Sequence, residues 1–255
     1  MANQFENPMY GRGGYGTTTV DRATFDVGLR AHMLRVYNYM ASGLVLSGIV
    51  ALVVANVPEV QSLFWTVRQT AGGRAISATA LGWVVMLAPL GMLLVGAFMM
   101  KNISRTGAQA FYWVFVAVMG ASLSLLLLRY TGASVAKTFF ITAASFGALS
   151  LYGYTTKRDL SGMGKFLLMG VVGIFLAGIV NMFLGSSMLQ FIISAAGVLI
   201  FAGLIAYDTQ TIKEQYSAAW GSDTQEQVAI FGALNLYLDF VNLFQFLLAF
   251  LGDRE

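Results

Sequence analysis

Apolar residues fill seven long runs of the chain, and polar stretches separate these runs. Each run is close to the roughly 20 residues that a helix needs to cross the hydrocarbon core of a bilayer. The pattern therefore predicts an all-α membrane protein with seven transmembrane helices. The predicted spans lie near 36–57, 79–100, 108–128, 134–155, 163–184, 187–212 and 226–251.

The last run carries a stripe of polar and small residues. They recur at steps of three or four positions, so on a helix they share one face. A carboxylate in mid-span costs about 2.5–3.5 kcal/mol to insert, so Asp239 should face a partner or water rather than lipid. We therefore expect this last helix to be central in the bundle. The stripe consists of Gly232, Asn235, Asp239, Asn242 and Gln245.

The segment 1–28 has a different composition from the rest of the chain. It is rich in Gly, Thr and Tyr and lacks both apolar periodicity and the apolar core of a cleavable signal. We expect it to be a disordered N-terminal tail, followed by a seven-helix transmembrane domain over 29–255.

Two further patterns concern packing. The longest connection joins the first two spans, and its Phe64 and Trp65 are expected to rest at the membrane interface as an aromatic anchor. In the fifth span, Gly173 and Ala177 have the spacing of small residues at close helix contacts.

The basic residues favour one orientation in the membrane. With seven spans, ten of them fall on the side of the N terminus and five on the other side, which predicts a cytoplasmic N terminus and an external C terminus. The first group is Arg12, Arg22, Arg30, Arg35, Lys101, Arg105, Lys157, Arg158, Lys165 and Lys213; the second is Arg68, Arg74, Arg129, Lys137 and Arg254.

Composition supports the membrane class and excludes several functions. Of the 255 residues, 57% are hydrophobic and 11% are charged, whereas about a quarter of a soluble domain is charged. The net charge of +3 comes without a basic run, so nucleic acid is not an expected partner. The absence of cysteine excludes disulfides and thiolate metal sites. The single His32, read as a solvated residue before the first helix, cannot form a multi-histidine site.

Three charged residues can converge under this topology. Lys101 ends the second span and Asp208 ends the apolar part of the sixth, both on the cytoplasmic side, and Asp239 lies about half a membrane inward from there. Two carboxylates within hydrogen-bonding reach cannot both ionise easily in a medium of low dielectric constant, so they should share a proton. The pair would then act as a pH sensor and gate. A nearby lysine would instead stabilise ionised aspartate and latch the helices together.

The same residues offer oxygen ligands. Carboxylates together with the amide oxygens of Asn235 and Asn242 suit hard cations, but calcium takes six to eight oxygens. Two aspartates are too few for a tight site, so weak, transient passage of calcium is favoured over storage. No cofactor is expected.

Three segments resemble the signatures of a known family. ASFGALSLYGYTTKRDLSGMGKFL (145–167), AGLIAYDTQTIK (202–213) and ALNLYLDFVNLFQFLL (233–248) look like those of the Bax inhibitor-1, or transmembrane Bax inhibitor motif, family. The resemblance spans roughly residue 30 to the end. It implies a seven-helix fold with the last helix surrounded by the other six, and a pH-sensitive calcium leak gated by an aspartate pair that matches Asp208 and Asp239.

One departure affects the latch. In a bacterial member of the family, an arginine at the end of the second helix latches to the sixth-helix aspartate, and the corresponding position here is Lys101. Lysine keeps the charge but lacks the bidentate fork of arginine, so it would form a weaker latch. The tail and short loops look like those of bacterial members, which implies the plasma (inner) membrane.

The leading interpretation is thus a proton-gated calcium leak pathway along the last helix. The alternative is an interaction protein that uses the tail to modulate a membrane protease or cell-death partners, with the aspartates only holding helices together. An enzyme is not expected, since the sequence has no nucleophile–base pair, phosphate loop or metal cluster.

Overall fold

A computed structural model describes residues 17–70, 73–99 and 103–253, and almost all of this part is helical. The exception is a two-stranded antiparallel hairpin, in which Trp65 pairs with Ala78 and Thr70 with Gly73. In chain order the elements are α1 (Thr17–Asn56), α2 (Pro58–Phe64), β1 (Trp65–Thr70), β2 (Gly73–Ala78), α3 (Ala80–Met99), α4 (Arg105–Arg129), α5 (Gly132–Thr155), α6 (Ser161–Leu184), α7 (Ser187–Gln215) and α8 (Ser222–Leu251).

Six of these helices are long and apolar enough to cross a membrane. They are α4 to α8 and the part of α1 that begins at Phe25. A seventh apolar helix lies within α3, over Ala80–Gly96, and it is shorter. The fold is therefore a bundle of membrane-spanning helices, and the count of seven spans stays a prediction.

Helix α8 touches α1, α4, α5 and α7, and α1 also packs along α4. Helix α3 packs along α4, and α6 packs along α7. The main apolar core centres on α8 residues, with Leu236, Tyr237 and Leu243 almost completely buried. We predicted that the other six helices all surround the last one. Four of them contact α8 here, so this arrangement stays a prediction.

Contacts between helix termini identify the two ends of the bundle, which we call the near end and the far end. The near end contains the start of α4 and α8 and the end of α5 and α7: Arg105 of α4 pairs with Glu226 in the first turns of α8, and Lys213 of α7 donates to the carbonyl of Tyr154 in α5. At the far end, the N–H of Thr131 before α5 donates to the carbonyl of Asp253 after α8. Successive long helices therefore run antiparallel, as the short connections require.

The connection between the first two predicted spans corrects one expectation. Trp65 is not an anchor at the interface: it is 2% exposed, and its indole N–H donates to Ser124 Oγ at 2.8 Å. The hairpin folds back onto the bundle and brings this ring against α4, where Ser124 satisfies its polar atom. The indole thus packs inside the protein rather than in the membrane interface.

Helix α1 begins at Thr17, inside the segment predicted as a tail, and residues 1–16 lie outside the described part. The division into a disordered tail and a transmembrane domain stays a prediction. The extension has a tertiary cause: the ring of Phe25 packs at 5.4 Å from that of Tyr216, which follows α7. Tyr216 also lies directly over Gly28, where a side chain would collide with it.

Candidate functional site

The candidate site lies between α7 and α8, which form an antiparallel helical hairpin. Ser186 caps the start of α7 by accepting a hydrogen bond from the N–H of Leu189. Toward the near end, Ile212 packs on Gly232, and toward the far end the rings of Phe201 and Phe246 stack at 5.7 Å. These contacts on both sides fix the register of the two helices between them.

This register brings Asp208 of α7 and Asp239 of α8 together. Their carboxyl groups are close enough to interact with each other. Asp239 is 4% exposed, whereas Asp208 is half-buried. Asp239 lies 17 residues into α8, or about 25 Å along the helix axis at 1.5 Å per residue. Asp239 is therefore deep inside the bundle, and Asp208, seven residues before the end of α7, is the more accessible member of the pair.

One oxygen of the pair has no partner among the described residues. Asp239 Oδ2 is fully buried and accepts no hydrogen bond there. Leaving a buried acceptor unsatisfied costs about 1–3 kcal/mol. Among the described residues, this oxygen is thus open to a proton or a cation.

The rest of the predicted stripe does not form one uniform polar face. Asn235, one turn before Asp239, is exposed. Asn242 is half-buried and donates to the carbonyl of Leu238 in its own helix. Gln245 is half-buried, while Gly232 is a packing contact with Ile212. The packed helices thus leave α8 open at Asn235 and close around it at Asp239.

Lys101, the candidate latch, lies outside the described residues. Its contact with Asp208 therefore stays a prediction. Gln210, two positions beyond Asp208, does anchor this end of α7: its amide accepts from the N–H of Leu160 at 2.8 Å and donates to the carbonyl of Arg158 at 2.9 Å. The turn that carries Asp208 is thereby tied to the α5–α6 connection.

A chain of hydroxyl groups beside the pair has no counterpart in the sequence analysis. Thr209 donates to the carbonyl of Ile205 at 2.7 Å, so Ser150 must donate to Thr209 at 3.0 Å and Tyr37 to Ser150 at 2.7 Å. Tyr37 and Ser150 line a cavity of about 520 Å³ between α1 and α5. Hydroxyl residues on three different helices give no signal along the sequence, because only the fold brings them together.

Aromatic side chains separate the pair from the far end of the bundle. The stacked rings of Phe201 and Phe246 lie there between α7 and α8, and Phe201 is 7% exposed. Beyond them is a polar cavity of about 430 Å³ lined by Asn181, Gln190 and Ser194. The carboxyl pair and this polar cavity are thus on opposite sides of an apolar layer.

His32 departs from its predicted environment. It is 3% exposed rather than solvated, and its ring lies 5.4 Å from that of Tyr216. Neither ring nitrogen has a hydrogen-bond partner among the described residues. The prediction was wrong because α1 begins fifteen positions before this residue, at Thr17, and Tyr216 covers the helix there. The described residues include no group of three or more acidic, histidine or cysteine side chains placed to hold a metal ion.

Comparison with known proteins gives one family and close bacterial relatives. The family model described as inhibitor of apoptosis-promoting Bax1 matches residues 29–255. A protein of Caulobacter vibrioides is 51% identical over 249 residues, which cover 96% of this chain and 98% of that protein. A protein of Rickettsia prowazekii is 44% identical over 239 residues, covering 94% and 96%. The inner membrane protein YbhL of Escherichia coli is 41% identical over 230 residues, covering 89% and 94%.

Proposed function

Because this chain belongs to the Bax inhibitor-1 family of membrane proteins, we propose that it is a pH-sensitive calcium leak channel whose gate is the pair of Asp208 and Asp239. The chain is an integral membrane protein, and the inner-membrane name of its Escherichia coli relative supports the same location here. The observation that carries the proposal is the carboxyl pair between α7 and α8, in which Asp239 is buried and its Oδ2 has no partner among the described residues.

The pair supplies a two-state element. With one shared proton, it carries a single negative charge and holds α7 against α8 by a hydrogen bond. Loss of that proton places two negative charges in contact, and gain of a second proton removes the charge altogether. Each change alters the force between two helices that are otherwise held by apolar contacts, which is how a protonation event biases a conformational equilibrium.

The route for ions follows from what lies on either side of the pair. The exposed Asn235 marks the side on which ions reach the gate, and its amide is a suitable oxygen ligand for calcium. On the other side, the stacked Phe201 and Phe246 close the route in this conformation. Conduction therefore requires α7 and α8 to shift relative to each other, and the low ligand number keeps calcium from being held tightly.

The orientation that we propose places the near end in the cytoplasm. Of the basic residues whose side chains the structure describes, the near end has Arg30, Arg35, Arg105, Lys157, Arg158, Lys165 and Lys213, and the far end has Arg68, Arg129 and Lys137. An excess of basic residues marks the cytoplasmic side. Asn235 then opens toward the cytoplasm, and the C terminus is external.

Calcium flux into liposomes that contain the purified protein tests this function. We expect wild-type flux to change between pH 5.5 and pH 8.5, and we expect both Asp239→Asn and Asp208→Asn to remove that pH dependence, because an amide cannot exchange the shared proton. A flux that rises on acidification indicates release of a latch from ionised Asp208, with Lys101 as the candidate cation. A flux that falls indicates that calcium passes over the ionised pair.

Asp159→Asn is the matched control. Asp159 lies in the α5–α6 connection and is exposed, and hydrogen bonds from the hydroxyl and the N–H of Ser161 lower the pKa of its carboxyl group below the ordinary value. It therefore stays ionised over the whole pH series, and its amide variant should behave as wild type. Wild-type flux that is flat with pH, or unchanged in both carboxyl-pair variants, would sink the proposal.

A deletion distinguishes the channel from the alternative function, an interaction protein. Removing residues 2–16 spares α1 and its contact with Tyr216, so the bundle should stay intact. A leak channel keeps its flux after this deletion. A protein that acts through its tail on a membrane protease loses control of that partner while Asp239→Asn has no effect on it.

A further inference from the structure

A groove opens sideways from the bundle in its far half, between α1, α4 and α5, with α8 as its floor. We call it the lateral groove; it encloses about 390 Å³. Its walls are apolar except for Ser47, and this hydroxyl is already used, since it donates to the carbonyl of Val116 and accepts from Tyr237. Representative lining residues are Gly48, Leu52, Leu126, Ala136, Phe140 and Phe244.

We propose that the lateral groove is a binding site for one acyl chain of a bilayer phospholipid, whose phosphate is held at the far end by Arg129 and Lys137. This site is separate from the carboxyl pair and does not depend on the proposed channel function. The argument rests on the surroundings, size and charge of the groove.

The surroundings of the groove are hydrocarbon. All four helices that form it are long and apolar enough to cross the membrane. Leu52 and Phe140 on its rim are 55% and 71% exposed, so the groove opens toward the lipid and not into the protein. Its walls offer no free hydrogen-bonding side chain, so a ligand that enters from the bilayer must itself be hydrocarbon over this stretch.

The size of the groove distinguishes a chain from a helix. A helix about 10 Å across with a pitch of 5.4 Å fills roughly 420 Å³ per turn. The groove therefore holds less than one turn, whereas a partner helix that spans the bilayer needs roughly 20 residues. A flexible hydrocarbon chain, in contrast, can follow the groove and fill it. Its dispersion contacts with the groove walls are contacts that the walls would lack if the groove were empty.

The charge at the far end suits a phosphate. Arg129 ends α4, two positions after the lining residue Leu127, and Lys137 follows the lining residue Ala136 in α5. Both side chains are exposed, and long basic side chains near helix ends reach the headgroup level. The acidic groups described at this end are Asp253, whose carboxylate accepts from Ser134 at 3.2 Å, and Glu59 of α2. With Arg68 of β1 added to Arg129 and Lys137, three described cations exceed these two carboxylates and leave net positive charge for an anionic phosphate.

An acyl chain in the groove would touch the helix that bears Asp239. Phe240 and Val241 line the groove and directly follow that aspartate in the sequence. Tyr237, two positions before it, donates to Ser47 in the groove wall. The bound chain therefore packs on the turn of α8 that carries Asp239, on the face of the helix that lines the groove.

Photo-crosslinking in lipid bilayers tests the site. The protein is reconstituted in phosphatidylcholine nanodiscs that contain a phosphatidylcholine with a diazirine on its acyl chain, and the crosslinked residues are mapped by mass spectrometry. We expect labels on groove residues such as Leu126, Ala136 and Phe140 to exceed those on the exposed face of α6 by about tenfold, which corresponds to 1.4 kcal/mol of preference.

Substitutions that fill the groove sharpen the test. A Cβ at Gly48 meets no atom within 4 Å, so Gly48→Leu should fill the groove without straining the bundle and should reduce groove labelling about tenfold. Gly173→Leu is the matched control, since a Cβ at Gly173 in α6 also meets no atom within 4 Å and lies away from the groove. Ala136→Leu repeats the filling from another wall in case Gly48→Leu does not fold.

One double variant tests the phosphate contact separately from the acyl-chain contact. Replacing Arg129 and Lys137 together by Gln should reduce groove labelling by roughly two- to fivefold, the range that exposed ion pairs reach. Equal labelling of the groove and of α6, or groove labelling that survives both filling variants, would overturn the proposal. So would a groove that takes up no label, because a protein such as a second copy of the chain would then occupy it.

Discussion

Helices α6 and α8 are both long apolar helices, but one is largely exposed at the surface of the bundle and the other is largely packed against other helices. Only 11% of the most apolar stretch of α6 is buried inside the protein, against 44% for α8. Yet α6 is the more apolar of the two, and the apolar part of α8, over 228–251, carries a carboxylate, two asparagines and a glutamine. In a soluble protein the more apolar helix would lie inside.

The difference reflects the solvent. Lipid tails are as apolar as leucine, so an apolar helix gains nothing by leaving them, and helix association depends on packing and on polar contacts. A polar side chain in mid-span needs protein or water around it. Helix α8 is thus drawn inward by Asp239 and Tyr237, whereas α6 carries few groups of that kind and stays at the periphery against α7.

The largest expected effect concerns matched leucines on the two helices. Leu243 of α8 is 1% exposed and Leu176 of α6 is 54% exposed. Leu243→Ala should lower the free energy of unfolding by about 2–5 kcal/mol, because it leaves a cavity in packed protein. Leu176→Ala should change it little, because lipid fills the space. Unfolding in mixed micelles measures both, and equal losses would mean that α6 is buried in an assembly.

Matched glycines give the second prediction. The carbonyl of Ala206 in α7 lies against Gly153 of α5, where a Cβ would collide with it, whereas Gly173 of α6 faces open space. Gly153→Ala should therefore cost about 1–3 kcal/mol through overpacking, and Gly173→Ala should be neutral or stabilising by up to about 1 kcal/mol. Thermal unfolding in detergent separates them. A stable Gly153→Ala variant would show that α5 and α7 do not approach this closely.

The smallest effect concerns one hydrogen bond of α8. Tyr237 is fully buried and donates to Ser47 at 2.6 Å, and Tyr237→Phe should cost about 1 kcal/mol, the usual net contribution of such a bond. The exposed Tyr152, at 49%, provides the control, and Tyr152→Phe should have no measurable effect. The same unfolding assay applies, and indistinguishable variants would argue that Ser47 finds another donor.

The sequence predicted the acidic pair because both of its members leave a local signal. A carboxylate inside an apolar run is rare enough to mark Asp239 by itself, and Asp208 follows from the end of the preceding run. The hydroxyl chain of Tyr37, Ser150 and Thr209 left no such signal, since hydroxyl residues are common in membrane helices and their meeting depends on three separate helices.

Predictions that used composition as a proxy for environment were less successful. Trp65 and His32 have residue types found at interfaces and in polar segments, but both are buried under groups that lie far away in the chain, Ser124 and Tyr216. Gly173 and Ala177 have the spacing of a packing motif, but Gly173 faces no neighbour. Spacing can show that a close contact is allowed, and it cannot show that a partner helix is there.

The sequence by itself determined the membrane class, the apolar runs, the family and the unusual last helix, because bilayer thickness and the cost of an embedded charge act on each segment separately. Only the tertiary structure decided which helices touch α8, where α1 begins, and that one oxygen of Asp239 is buried without a partner in the described bundle. Those features depend on register and crossing between helices, and residues from distant parts of the chain define them together.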